Sequence, residues 1–126
     1  MGARFVATQE AQAHRAYKQA LLEAAPEDTM LIKRSLGQPG RVLRSPHAEA
    51  IVAAEARQAP AAGSEVLPMI AGEVNARDVE GGDLAGSYVW AGQCVGLIGD
   101  LPPAGEVVRR MGREARSVLG GLAARL

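Results

Sequence analysis

The residue types that most readily do acid–base or nucleophilic chemistry near neutral pH are scarce in this chain: two histidines, His14 and His47, and one cysteine, Cys94. Histidine is the side chain most often used as a general acid or base. His14 follows Glu10 by four residues and falls at helical spacing with Tyr17, Lys18 and Leu21, so it reads as a helix-surface residue. Cys94 sits among small residues with no basic neighbour to activate it, and is expected to be packed and inert. A single cysteine excludes an internal disulfide and any cysteine-rich metal site. The arginines near the end (Arg109, Arg110, Arg113, Arg116) are interrupted by Glu106 and Glu114, the pattern of a solvated helix face.

These residues need elements to position them. Arg4-Phe5-Val6-Ala7 reads as the tail of a strand, after which Thr8 caps a helix from about Glu10 to Ala24. Pro26 with Glu27-Asp28 marks a turn, Thr29 to Lys33 a strand, and Gly37-Gln38-Pro39-Gly40 a further turn. Ser45-Pro46 is an N-cap and N1 pair opening a helix to about Arg57. Gln58 to Ser64 reads as loop, and Val66 to Val74 as a short helix that tolerates Pro68 only in its first turn. Asp78 to Gly86, with three glycines and three acids, reads as a mobile or ligand-facing loop. Ser87 to Gln93 leads into a small-residue helix through Ile98. The last helix runs from about Pro103 to Ala124, with Val107, Val108, Met111, Val118, Leu119 and Leu122 on one face.

The totals bound the function. With 14 basic and 14 acidic residues the formal charge is zero, which gives no electrostatic reason to expect nucleic acid or an anionic membrane as partner. No apolar run approaches a membrane span and the opening residues show no secretory h-region, so the expected location is cytoplasmic. One Trp, one Phe and two Tyr, with an alanine-rich remainder, are poor material for a self-sufficient core.

Met1 to Glu10 (MGARFVATQE) and Ala13 to Lys18 (AHRAYK), with Asp28 to Lys33, Arg41 to Arg44, Trp90-Ala91-Gly92-Gln93 and Pro102 to Val108 following in order, resemble nitronate monooxygenases. The resemblance spans almost the whole chain, weakest between about Gln58 and Gly86. It implies an α/β fold, an FMN-binding (β/α)₈ TIM barrel. Residues 1–126 would be the C-terminal portion of it, mostly helical with one or two short strands and no complete domain. It also implies FMN-dependent oxidation of alkyl nitronates by oxygen, giving a carbonyl compound and nitrite.

Carried over residue by residue, Gly2 and Ala3 would meet the FMN phosphate, Gln93 the flavin, and Tyr88, Val89 and Trp90 the substrate. Gly2 lets backbone approach an anion closely; Ala3 departs from the family's usual threonine and lacks its hydroxyl. Gly2-Ala3 also reads as a tight strand exit, and Trp90 as the anchor of a small core. Both alternatives stay open. The family's catalytic histidine belongs to a Gly-Gly-His segment that neither His14 nor His47 matches, so no catalytic residue is assigned and the chain alone is expected to be inactive. Met1 aligns with an internal family position. The expected partners are therefore the missing barrel portion or another copy, besides nitronate and oxygen. Two other readings remain: a flavin-dependent enoyl-acyl carrier protein reductase, and a non-catalytic helical interaction module.

Overall fold

Thr29 to Ile32 (β1) and Gly40 to Leu43 (β2) form an antiparallel hairpin, with Thr29 opposite Leu43 and Ile32 opposite Gly40. These belong to a computed structural model that describes residues 1–57 and 63–125. The connection between the strands uses left-handed backbone at Gly37 (φ 68°) and at Lys33 (φ 63°), a conformation uncommon outside glycine. The turn signal at Gly37 to Gly40 was legible; β2 itself, only four residues long, was not expected as a strand.

Alternation along β2 divides the interior in two, because successive strand residues face opposite sides. Leu43 packs with Tyr17, Leu21, Val89 and Val95. Val42 packs with Ile32, Ile51, Val66 and Tyr88. The first core is covered by α2 (Arg15–Glu23) and the second by α3 (Pro46–Arg57) and α4 (Gly63–Met69). The start of α3 is as expected: Ser45 Oγ accepts from the Ala48 amide at 3.1 Å, and Ala48, Ile51 and Ala54 present one buried face.

Several expectations are corrected. Arg4 to Val6 is not a strand: Gly2–Val6 forms a five-residue helix, α1. A strand needs a neighbour to take its hydrogen bonds, and here the backbone is satisfied locally, with Arg4 N–H donating to Met1 O at 3.1 Å. Thr8 caps nothing; its hydroxyl donates back to Phe5 O at 2.8 Å. The cap of α2 is His14, whose Nδ1 accepts from Ala16 N–H at 3.2 Å, so the helix starts later than expected and Glu10 lies outside it. Glu10 instead accepts from Ala104 N–H at 2.8 Å, capping α6 (Ala104–Ala123) in place of Pro103, whose side chain makes no cap.

The single short helix expected over Val66 to Val74 is two. Pro68 falls near the end of α4, where it removes one ladder bond although Ile70 N–H still reaches Val66 O at 3.2 Å, and α5 (Gly72–Gly81) begins afresh. The loop expected from Gln58 lies outside the described residues except at Gly63 and Ser64, which begin α4. Asp78 to Gly81 is helix rather than loop. It closes on Gly82 (φ 83°), with Asp83 N–H bonded to Asp78 O and Gly82 N–H to Val79 O, the paired bonds of a Schellman ending. The small-residue helix after Gly92 is a 3₁₀ turn, Gln93–Leu97, and leaves Cys94 exposed rather than packed.

Candidate functional site

The segment Ser87 to Ala91 runs antiparallel beside β2, bridged at Val42 and Trp90. Leu43 N–H donates to Val89 O at 2.9 Å and Ala91 N–H to Arg41 O at 3.2 Å. The other carbonyls are taken by side chains: Ser45 Oγ donates to Ser87 O at 2.8 Å, Asn75 Nδ2 to Tyr88 O at 3.1 Å, and Tyr17 Oη to Trp90 O at 2.6 Å. Asn75 also accepts from Tyr88 N–H at 2.8 Å, so its carboxamide stands in for a neighbouring strand. Thus each carbonyl from Ser87 to Trp90 accepts a bond from a different part of the chain. Tyr88 and Val89 are buried, where an unpaired backbone group costs about 1–3 kcal/mol.

This grip presents Trp90, the chain's one tryptophan, with its side 46% exposed. Lys33 Nζ lies 4.8 Å from the indole centroid and Tyr88 meets it edge-on at 5.4 Å. Gly40 makes the placement possible, since a Cβ there would overlap the indole. Tyr88 is fixed on its other side by the parallel imidazole of His47, 6.3 Å away, while His47 Nε2 bonds Met69 O at 2.7 Å. His47 is therefore committed to packing.

Tyr88, Val89 and Trp90 border a cavity of about 250 Å³ closed by Gln12 to His14 and Tyr17 on one side and by Asn75, Val79 and Glu80 of α5 on the other. The three expected substrate residues are thus brought together. Burial pushes the Tyr17 hydroxyl up to about 12 and raises that of Tyr88, so both are neutral hydrogen-bonding groups rather than acids near neutral pH.

Gly2 and Ala3 lie elsewhere, in the first turn of α1, and Gln93 is exposed at the start of the 3₁₀ turn. None of the three borders the 250 Å³ cavity. Nor do they border a second one, about 360 Å³, between Met1, Arg4, Cys94, Leu97 and the first turns of α6. The polar rim of that second cavity is an ionic chain. Arg4 and Arg110 both hold Asp100, and Arg110 also reaches Glu106 at 3.1 Å. The guanidinium of Arg113, with those of Arg109 and Arg110, holds the Glu106 carboxyl down at about 2. Hydrogen bonding to Arg110 lowers Asp100 as well.

Sequence reasoning missed Asn75, Tyr17 as a backbone anchor, and His14 as a cavity residue. Asn75 carried a faint signal, because asparagine inside a helix is a poor helix former and is retained where its side chain has other work. Among the described residues no cluster of His, Cys, Asp and Glu is placed to hold a metal, and no helix is long and apolar enough to cross a membrane.

A strand-like segment clamped beside a two-stranded hairpin, flanked by helices and bordering a cavity, is what the fold builds here. Residues 1–114 match the family model described as nitronate monooxygenase. The chain belongs to that family, whose fold is an FMN-binding TIM barrel; this chain is a helical portion with a two-stranded sheet. Among solved structures it is similar to FabK from Thermotoga maritima, at 31% identity and a TM-score of 0.88, covering 100% of this chain and 39% of that one. A mutant of the same FabK matches at 28% identity and a TM-score of 0.79, covering 100% and 36%. The chain therefore spans about two fifths of the length of the structures it matches.

Proposed function

We propose that this chain forms the C-terminal wall of an FMN-dependent enzyme that oxidises alkyl nitronates to a carbonyl compound and nitrite. The observation that carries the reading is the hold on Tyr88, Val89 and Trp90. Four successive carbonyls are bonded, and the cavity they border is large enough for a small organic substrate.

The contacts proposed between this chain and FMN lie at an edge. The first amides of α1, at Gly2 and Ala3, have no intrahelical partner, and nothing lies within 4 Å of a Cβ built on Gly2, so an anion's approach is open. Gln93 is exposed and free to reach a flavin. The ring's seat is assigned to the rest of the barrel, since this chain spans only 39% of the FabK structure it matches. When bound, FMN supplies the redox chemistry; this chain's residues orient the substrate and exclude water from one side of it.

A second reading, reduction of an enoyl thioester with hydride from nicotinamide, is favoured by the 31% identity to FabK along the whole chain. The two separate in one experiment on the full product of the gene, purified with FMN and kept anaerobic. Bleaching of the flavin by propyl-2-nitronate, and nitrite release once air is admitted, is the expected result. Bleaching by NADH but not by nitronate assigns the reductase instead. The isolated chain with added FMN is expected to release no nitrite above the free-flavin background, and turnover there would overturn its assignment as a non-catalytic wall.

A further inference from the structure

His14 is the one histidine in the 250 Å³ cavity, and the mechanism above does not use it. Its Nδ1 accepts from Ala16 N–H at 3.2 Å, which places the ring proton on Nε2. Among the described residues Nε2 has no hydrogen-bond partner, whereas Nε2 of His47 is committed to Met69 O. The ring rests against Gly82, where a Cβ would overlap it and where left-handed backbone (φ 83°) already favours glycine. One nitrogen is therefore tied to the helix and the ring is backed by bare backbone, with a single donor left over on a residue that lines the cavity together with Tyr17, Tyr88 and Trp90.

We propose that His14 binds the substrate in this cavity, its Nε2–H donating to an oxygen of the ligand's planar, anionic XO₂ group, nitronate or carboxylate. The inference rests on the reading of Tyr88, Val89 and Trp90 as a substrate wall. Glu80 also borders the cavity and opposes an anion, and the two effects differ in size. Glu80 is exposed; a charge about 6 Å away through water changes affinity roughly threefold. A hydrogen bond to a charged oxygen is worth about tenfold or more. The donor decides the preference.

The chain carries its own controls: two histidines and one tryptophan. The probe is isobutyrate, a carboxylate of the same shape as propyl-2-nitronate, with isopropylammonium as its cationic counterpart. Titration of the chain is followed by the imidazole resonances of both histidines and by Trp90 emission. Isobutyrate is expected to shift His14 and change Trp90 emission while His47 stays still. In His14→Ser, which keeps a helix cap, affinity is expected to fall about tenfold with the unfolding midpoint nearly unchanged. If Trp90 responds but His14 does not, or His14→Ser binds as the parent does, the role of His14 is overturned and the wall stands. If neither responds, the wall reading fails with it. If only isopropylammonium binds, Glu80 and the aromatic rings govern the cavity and the proposal is overturned.

Discussion

The wall at Ser87 to Ala91 and the distal half of α6 are opposites. The wall is short and irregular, yet each carbonyl from Ser87 to Trp90 is bonded within the chain, and Tyr88 and Val89 are buried. Helix α6 is regular and twenty residues long, yet only Val107 of its apolar face is buried; Val108, Val118, Leu119 and Leu122 are 54–66% exposed. Regular hydrogen bonding thus says little about where this chain is self-sufficient. The wall is made by contacts from α2, β2, the α3 cap and α5. The helix is made locally, by its own ladder and by Arg–Glu pairs three and four residues apart, and the apolar face of its distal half is exposed.

The largest test of this contrast is at Asn75. Asn75→Leu improves helix propensity, so a loss cannot come from the helix itself, and it leaves both polar groups of the Tyr88 backbone unpaired in a buried setting. The expected loss is about 2–4 kcal/mol, at about 1–3 kcal/mol per orphaned group. Denaturant unfolding measures it, and Trp90 emission reports whether the wall has moved. A loss under about 0.5 kcal/mol would mean that the wall is held by packing alone.

Tyr17→Phe is a smaller cut in the same place. It removes the donor to Trp90 O and little else, for an expected loss of about 1 kcal/mol. The hydroxyl also gives the wall an alkaline limit. Burial raises it to about 12, so the native state disfavours the phenolate relative to the unfolded chain, where it ionises near its ordinary value of 10.0. The stabilisation is complete below that ordinary value and is lost as pH rises towards 12. In Tyr17→Phe that part of the alkaline decline should disappear; an identical decline would remove Tyr17 from the wall.

What was legible in the sequence follows the same division. Helix α3, with its Ser45-Pro46 start, the turn at Gly37 to Gly40, β1 and α6 were all readable because local chemistry makes them. The nearness of Tyr88, Val89 and Trp90 to one cavity came from resemblance. The opening segment was misread because Arg-Phe-Val-Ala has strand-like side chains, while the backbone had no neighbouring strand among the described residues to bond with. His14 was misread because Glu10 is four residues earlier, whereas Glu10 serves α6 and His14 caps α2. Asn75, more than ten residues from Tyr88 in sequence, was invisible, since no local rule links a helix amide to a distant backbone. The gripping contacts are long-range, and long-range contacts leave little trace in one sequence.

At the base of α6 the ionic chain ties the helix to the rest of the molecule. Glu106 is lowered to about 2 by Arg113, Arg109 and Arg110, so its contribution is present above its ordinary value of 4.5 and is lost as pH falls towards 2. These side chains are largely solvated, and salt should weaken the effect. Comparing the acid limb of thermal unfolding in the parent and in Glu106→Gln tests this. The variant should show the shallower limb between about pH 4.5 and 2, and the difference should shrink in high salt. Equal limbs would leave α6 anchored only by Val107 and the Glu10 cap.

The smallest effect is expected where the apolar residues are most conspicuous. Replacing Val118 with Ser, and Leu119 and Leu122 with Gln, should change the stability of the dilute chain by no more than about 0.5 kcal/mol, because none of the three is buried to begin with. An equal apolar loss in either core would cost several times more: Ile51→Ala, fully buried, falls in the range of about 2–5 kcal/mol. The comparison sharpens if both sets are measured over a range of protein concentration. A stripe left open contributes the same small amount at every concentration. A stripe covered by another copy makes the parent's midpoint rise with concentration and the triple variant's stay flat. That second pattern would move α6 from the open side of the contrast to the gripped side, with its grip supplied from outside the chain rather than from within.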